Sequence, residues 1–374
     1  MDVNLRIPGP TPCPDDVLEA MGRQMINHRG PEFSEMLERI TDGLKTLFQT
    51  EHDVLILSAS GTGAMEVMIV NALSPGDRVL GVSIGAFGDR FATMAETYGA
   101  AVERLSFEWG AAADPEQVAQ ALERDPSYRA VLITHNETST GVTNDLEAIA
   151  LACRRVRPDV LLLVDAISSL GSLRCHVDAW DLDVVATGSQ KGWMVPPGLA
   201  MVSVSPRAWE AFEQAKMPRF YFDFGRAREM LAKGQTPWTP AVSIFYALDV
   251  ALKRLLADGI GAIVERQRGL GEFTRREVRA LGLQLFADER FASDTVTAVR
   301  VPEGVDGPAL NKLLREEYQV VLAGGQAKLA GKIFRIGHLG WVSDEELQGA
   351  IDALRSALPR LGFAVPETTA GRPS

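Results

Sequence analysis

Residues 161–191 constrain the fold most, because two short apolar runs there each lead to a charged residue. Leu161–Val164 is followed directly by Asp165, and Val184–Ala186 continues through four small or polar residues to Lys191. Apolar runs of this length are typical of buried parallel strands. Ligands of open α/β sheets bind beyond the carboxyl ends of the strands, so we expect Asp165 and Lys191 to face one crevice.

A carboxylate and a lysine in such a crevice have two interpretations. A lysine amine forms a Schiff base with pyridoxal phosphate (PLP), while a carboxylate keeps the pyridine nitrogen protonated so that the ring accepts electrons. The alternative is an ion pair at the strand ends. These two residues alone leave the choice open.

An earlier strand–turn–helix unit predicts a site for an anion. The strand-like run Val54–Leu57 is followed by a turn of small residues and then by the helical segment Ala64–Leu73. Free amides and the dipole at a helix N-terminus attract phosphate. The turn lacks the GxxxxGK[ST] pattern, and Glu66 occupies the last position of GxGxxG, so neither nucleotide motif is present. The candidate phosphate ligands are Ser60, Gly61 and Thr62.

Strands and helices alternate through the first two thirds of the chain, which predicts an α/β fold with a mostly parallel, covered sheet. We expect an N-terminal arm at residues 1–14, since its prolines exclude helix, and a large domain at 15–259. A linking helix and a small α+β domain follow at 260–362, and residues 363–374 are expected to be a disordered tail.

Charge and composition limit the partners and the location. The chain has 374 residues and a net charge of −11, which argues against nucleic acid or an anionic membrane as the main partner. It has no apolar run of roughly 18 residues and no N-terminal apolar core of signal-peptide type. Its three cysteines show no CxxC spacing, which fits a reducing compartment, so we expect a cytoplasmic protein.

Eight strings along nearly the whole chain carry a family resemblance. They are PGPTPCP, HRGPEF, SASGTGAMEV, HNETSTG, VDAISSLG, TGSQKGW, TPWTPAV and FRIGHLG. In this order they resemble the class V aminotransferases of the PLP fold-type I superfamily, in the alanine–glyoxylate and serine–pyruvate (serine–glyoxylate) branch. The resemblance implies a large PLP-binding domain with a seven-stranded-type, mostly parallel sheet, and a smaller α+β C-terminal domain.

The resemblance implies roles for three charged residues. Lys191 matches the Schiff-base lysine, which also moves the proton between the substrate Cα and C4′ of the cofactor. Asp165 matches the partner of the pyridine nitrogen. Arg335 matches the arginine that binds the substrate carboxylate, and a guanidinium suits that task because it binds both carboxylate oxygens. Without the resemblance, Arg335 fits an ion pair in an edge strand.

Other positions would complete the cofactor site. Phe87 matches the ring-stacking aromatic, and Thr138 the group near the phenolic oxygen, although a core aromatic and a simple polar turn are the alternatives. Gln190 is a further phosphate donor. A loop of the partner subunit that matches residues 236–239 supplies a hydroxyl, so Thr236 and Thr239 are candidates; Thr239 is favoured, with a helix cap as its alternative. His338 is interpreted as a structural histidine, and His28 has no assigned role.

The predicted activity is transamination between a small amino acid (serine or alanine) and a small 2-oxo acid (glyoxylate or pyruvate). The covalent intermediate implies a ping-pong order, and the shared loop implies a homodimer. Pyridoxamine–pyruvate transamination is the main alternative. A lyase or desulfurase is less favoured, because a desulfurase needs a cysteine shortly before the carboxylate-binding arginine and the last cysteine is Cys175.

Overall fold

A computed structural model describes residues 3–366 of the chain. The strands are β1 Asn4–Arg6, β2 Asp53–Ala59, β3 Arg78–Ser83, β4 Ala101–Ser106, β5 Tyr128–Thr134, β6 Asn136–Glu137, β7 Val142–Thr143, β8 Leu161–Asp165, β9 Val184–Gly188, β10 Gly198–Val204, β11 Val296–Arg300, β12 Val320–Gly324 and β13 Ile333–Gly337. The helices are α1 Asp15–Met21, α2 Pro31–Phe48, α3 Gly61–Ala72, α4 Ala86–Thr97, α5 Pro115–Arg124, α6 Leu146–Val156, α7 Pro206–Gln214, α8 Phe224–Leu231, α9 Val242–Ala280, α10 Gly307–Tyr318 and α11 Asp344–Ala357.

The larger sheet has seven strands in the order β2-β10-β9-β8-β5-β3-β4. Strand β10 runs antiparallel to β2 and β9, whereas the pairs from β9 to β4 are parallel. The mostly parallel seven-stranded sheet expected from the sequence is therefore confirmed.

Helices cover both faces of this sheet, and strand β8 shows why its sequence is apolar throughout. Successive side chains of a strand point to opposite faces. Leu162 and Val164 pack in the core that contains α2 and α9, while Leu161 and Leu163 pack in the core that contains α3 and α4. A strand buried on both faces cannot alternate with polar residues, so β8 is a continuous apolar run.

The smaller sheet joins the two ends of the chain in the order β1-β12-β13-β11. Strand β1 pairs in parallel with β12, opposite Val320–Leu322. The buried guanidinium of Arg6 lies 3.2 Å from the carboxylate of Glu346 on α11. Part of the predicted N-terminal arm is therefore an edge strand of the C-terminal sheet.

Two further boundaries bear on the predicted division of the chain. Helix α9 contains a break at Gly259, where φ is 76° and ψ is 150°, next to the expected domain boundary. Phe363 and Val365 pack against the small-domain core, so the prediction of a disordered tail from residue 363 is wrong for residues 363–366. The rest of that predicted tail lies outside the described residues. Within residues 3–366, no helix combines the length and the apolar character that crossing a membrane requires.

Candidate active site

Asp165 and Lys191 come together at the carboxyl edge of the large sheet. Asp165 ends β8 and is paired in register with Thr134 on β5 and Ala186 on β9. The chain leaves β9 at Gly188 and reaches Lys191 three residues later. Both side chains line one cavity of about 230 Å³.

Burial changes the protonation of both groups. It lowers the pKa of Lys191 to about 8, an effect that the charge of Arg335 reinforces and that of Asp165 opposes. At that pKa about a tenth of the amine is neutral at pH 7, against fewer than about one in a thousand at the ordinary value. Burial also raises the pKa of Asp165 to about 7, although its carboxylate accepts a hydrogen bond from the amide of Ile167 at 3.0 Å. Both groups therefore change protonation within about one pH unit of neutral, which is typical of functional sites.

The N-terminal segment closes the cavity over Lys191, which the sequence did not predict. The Lys191 amine donates a hydrogen bond to the Pro8 carbonyl oxygen at 2.5 Å. Gly9 has a φ of +121°, and a Cβ there would lie 2.7–2.8 Å from the end of the Lys191 side chain. Thr11 bonds through its amide to the carbonyl of Gln190 at 3.1 Å. Pro8 and Gly9 of the PGP string therefore pack directly against the Lys191 side chain.

The predicted phosphate site lines the same cavity. Gly61 and Thr62 line the cavity and begin α3, which has neither a side-chain cap nor an acidic residue in its first turn. Exposed Ser60 is the N-cap residue. Gln190 also lines the cavity, and its carboxamide oxygen is buried without a hydrogen-bond partner. Free amides at a helix N-terminus fit a phosphate group, and Gln190 would add a donor only through its carboxamide NH₂, since its oxygen is an acceptor like the phosphate oxygens.

Phe87 lines the cavity from α4, together with a residue that the sequence did not indicate. The guanidinium carbon of Arg90 lies 4.8 Å from the centre of the Phe87 ring. Arg90 forms no ion pair within residues 3–366, and its charge counteracts the rise in the pKa of Asp165. The Phe87 amide donates to the carboxylate of Glu137 at 2.9 Å, another contact that was not predicted although Glu137 lies in the HNETSTG string.

Arg335 reaches the cavity through Thr138. Arg335 lies on β13, where its Nε donates to the Gly324 carbonyl at 2.9 Å and its Nη1 to the Thr138 carbonyl at 3.0 Å. Its Nη2 makes no hydrogen bond within the described residues. Burial lowers the pKa of Arg335 to about 10, so it keeps its charge at neutral pH. Thr138 lines the cavity itself, whereas Arg335 is not among the lining residues.

Thr236 and Thr239 are not among the residues that line the cavity of their own chain. The buried Thr236 hydroxyl donates to the carbonyl of Trp238 at 2.8 Å. Thr239 is exposed, and its hydroxyl has no partner within residues 3–366. Phe220 is 74% exposed beside them, with its ring stacked on Trp238 at 5.1 Å between centroids.

The two histidines have different surroundings. His338 is fully buried, with Nδ1 3.0 Å from the Asp294 carbonyl oxygen and Nε2 2.9 Å from the Thr297 hydroxyl. Burial lowers its pKa to about 3, so the ring is neutral and both nitrogens are satisfied. This geometry matches the interpretation of His338 as a structural histidine. His28 is half-buried and makes no hydrogen bond or ion pair within the described residues.

The fold matches that of PLP fold-type I aminotransferases. The family model described as aminotransferase class V matches residues 3–343. The protein therefore belongs to the class V aminotransferases, and this family implies PLP as cofactor.

Several proteins are similar over almost the full length of both chains. The small subunit of a soluble hydrogenase from Synechococcus sp. is 48% identical over 96% of this chain and 94% of its own. The L-aspartate–glyoxylate aminotransferase of Paracoccus denitrificans is 37% identical over 96% and 92%. The serine–glyoxylate aminotransferase of Methylorubrum extorquens is 38% identical over 97% and 92%.

Within residues 3–366, no group of three or more His, Cys, Asp or Glu side chains is arranged to hold a metal ion.

Solved structures give the same fold. The alanine–glyoxylate aminotransferase of Nostoc sp. has a TM-score of 0.92 at 33% identity, covering 96% of each chain. The pyridoxamine–pyruvate aminotransferase of Mesorhizobium loti has a TM-score of 0.93 at 30% identity, covering 98% of this chain and 94% of its own.

Proposed function

We propose that this enzyme transfers an amino group between a small amino acid, serine or alanine, and a small 2-oxo acid, glyoxylate or pyruvate, in a ping-pong order. The observation that carries the proposal is the pair of Lys191 and Asp165 in one cavity, with Arg335 directly behind Thr138. The cavity of about 230 Å³ would hold the cofactor itself, so the choice of small substrates is carried over from the glyoxylate aminotransferases to which the chain is similar.

The residues of the pocket fit PLP, which supplies an aldehyde for amino groups and a ring that accepts electrons. In the proposed arrangement, Asp165 holds the pyridine nitrogen and Phe87 lies against the ring. Thr138 directs its hydroxyl, which has no partner within residues 3–366, to the phenolic oxygen. The phosphate lies at the uncapped end of α3. The proposed phosphate ligands are Ser60, Gly61, Thr62 and Gln190.

Lys191 and Arg335 have different roles toward the substrate: Lys191 transfers a proton and Arg335 binds the carboxylate. The lowered pKa of Lys191 lets its neutral amine take the proton from the substrate Cα and return it at C4′. Arg335 binds the substrate carboxylate with its free Nη2 and thereby orients the Cα–H bond. Its remaining nitrogens stay on protein carbonyls, which fixes the guanidinium before the substrate arrives.

A homodimer would complete the site with a hydroxyl from the partner's copy of Thr236 or Thr239. Thr239 supports this because it is exposed and without a partner in the described part of the chain. The exposed ring of Phe220 beside it favours a covered surface in the assembly. A monomeric species that is fully active in sedimentation experiments would contradict the dimer. The cytoplasmic location stays a prediction from the use of cysteine, in agreement with three free thiols.

Pyridoxamine–pyruvate transamination is the second candidate, because a protein of that name from Mesorhizobium japonicum is 32% identical over 89% of this chain. A desulfurase is disfavoured, since burial raises the pKa of Cys175 to about 12 and suppresses its nucleophilic thiolate. L-aspartate is also tested as an amino donor, because the chain is similar to the L-aspartate–glyoxylate aminotransferase of Paracoccus denitrificans.

The test is an absorbance spectrum of the purified protein with PLP, before and after L-serine, L-alanine, L-aspartate or pyridoxamine is added. The Lys191→Ala variant is the control, because it cannot form the covalent bond. Conversion of the lysine-linked band to the pyridoxamine band by serine or alanine would support the proposal. Formation of pyridoxal and alanine from free pyridoxamine and added pyruvate would select the second candidate, and a protein that forms no lysine-linked band with PLP or pyridoxal would refute both.

A further inference from the structure

Glu137 is a completely buried acid for which the proposed chemistry has no use. Its carboxylate accepts four hydrogen bonds, two of them from the amides of Phe87 at 2.9 Å and Gly88 at 3.1 Å. The other two come from the amide of Ser139 at 3.1 Å and its hydroxyl at 2.6 Å. No lysine, arginine or histidine forms an ion pair with Glu137 in the described part of the chain. Burial raises the pKa of Glu137, and these donors, together with the N-terminal end of the α4 dipole, oppose that rise because they stabilise the charged carboxylate.

The start of α4 is built around this carboxylate. The Ala86 amide donates to the hydroxyl of Ser139 at 3.0 Å, so the first three amides of α4 all end on Glu137 or Ser139. Gly85 precedes the helix, and a Cβ there would lie 2.4–2.6 Å from Glu137 and Ser139 atoms. The φ of Gly85 is extended at 174°, so glycine is needed for space and not for conformation.

The same segment reaches the substrate arginine. Thr138, the residue between Glu137 and Ser139, accepts the Nη1 hydrogen bond of Arg335 through its carbonyl. The Glu137 charge also supports the charged form of Arg335, because it raises a pKa that burial lowers. Arg335 lies on the smaller sheet and Phe87 on a helix of the larger one, so residues 137–139 connect the two.

We propose that Glu137 is a positioning residue: its buried carboxylate fixes Phe87 for the cofactor ring and, through Thr138, holds Arg335 for the substrate carboxylate. This inference rests on the proposed function. It implies that the loss of one carboxylate, which touches neither cofactor nor substrate, weakens the binding of both.

The test is the Glu137→Gln variant, which keeps the shape but turns an NH₂ group toward donors that need an acceptor. We expect the dissociation constant for PLP to rise roughly 10- to 100-fold, the range for hydrogen bonds to a charged group. We also expect the KM for amino donor and oxo acid to rise by more than the kcat falls. The measurements are titration of the cofactor-free protein by visible circular dichroism, followed by steady-state kinetics.

Glu147→Gln is the matched control, because Glu147 is exposed in the first turn of α6 and its side chain makes no hydrogen bond or ion pair within residues 3–366. A carboxylate that served stability alone would lower the unfolding midpoint of Glu137→Gln but leave PLP affinity and KM unchanged in the folded protein. That result would overturn the inference. If Glu137→Gln does not fold, Ser139→Ala decides: it removes one donor and should weaken PLP binding roughly 2- to 10-fold, and unchanged binding would refute the inference.

The PLP titration of the wild-type protein distinguishes failure of the proposed function from failure of the positioning role of Glu137. A wild-type protein that binds no PLP would refute the proposed function. A wild-type protein that binds PLP no better than Glu137→Gln would refute the positioning role and leave the proposed function standing.

Discussion

The buried carboxyl group of Asp165 should make the cofactor-free protein less stable as the pH rises. Its pKa is about 7 in the folded chain, against an ordinary value of 3.8. Between these values the folded protein keeps the proton and the unfolded chain releases it. Stability must therefore fall as the pH rises through this window. Asp165→Asn removes the titration but keeps an oxygen for the amide of Ile167.

The pKa difference gives the size of the effect. About 3 pKa units at about 1.4 kcal/mol each correspond to a cost of about 4 kcal/mol above pH 7. The same arithmetic gives a cost of about 1.5 kcal/mol at pH 5 and almost none below pH 4. We therefore expect Asp165→Asn to be more stable than the wild type without PLP, by an amount that grows by about 2.5 kcal/mol between pH 5 and pH 8.

The assay is urea unfolding of the cofactor-free proteins at pH 5 and pH 8, at one protomer concentration because the protein is proposed to dimerise. Saturating PLP should then stabilise the wild type more than Asp165→Asn, because only the carboxylate can pair with a protonated pyridine nitrogen. Asp42→Asn is the control, since Asp42 is exposed and its side chain makes no hydrogen bond or ion pair within residues 3–366.

A stability difference that is the same at both pH values would refute this reasoning, because it would mean that Asp165 does not titrate between them. The assignment of Asp165 to the pyridine nitrogen would be refuted if PLP stabilised the Asp165→Asn protein as much as the wild type.

Three further substitutions test other parts of the site. Arg335→Lys keeps the charge but loses the Nε and Nη1 hydrogen bonds to Gly324 and Thr138 that hold Nη2 in place, so the KM for both carboxylate substrates should rise roughly 10- to 100-fold in steady-state kinetics, with a smaller change in kcat. Gly9→Ala should weaken PLP binding in a spectral titration, because its Cβ would meet Lys191 at 2.7 Å. His338→Ala should lower the free energy of unfolding in urea by about 2 kcal/mol, because it leaves the Thr297 hydroxyl without its partner, and PLP affinity should not change.

Each of these has a result that would contradict it. An unchanged KM in Arg335→Lys would remove Arg335 from the substrate site. Gly76→Ala is the control for Gly9→Ala, because Gly76 has a positive φ of +86° but open space around it. Equal effects of the two on PLP binding would show that contact with Lys191 is irrelevant. Weaker PLP binding with unchanged stability in His338→Ala would contradict a structural histidine.

The separate parts of the site differ in how far local sequence predicts them. The strand-like run ending in Asp165 is a local pattern, and the structure has β8 where it was expected. The turn before α3 is shorter than expected, because β2 extends to Ala59 and α3 already begins at Gly61 instead of Ala64. Glu137 and Arg90 were missed because their importance depends on neighbours from other segments, the α4 amides for one and the Phe87 ring for the other.

The sequence by itself determined the alternation of strands and helices and placed Lys191 and Asp165 at one edge of a parallel sheet. It could do so because periodicity and strand polarity are properties of neighbouring residues. Only the tertiary structure decided that β1 joins β12 and that Pro8 lies against Lys191. It alone also brings the pKa values of Asp165 and Lys191 to within about one unit of neutral pH. These features arise from burial by segments far apart in the chain, and no local pattern records which distant segment will cover a given side chain.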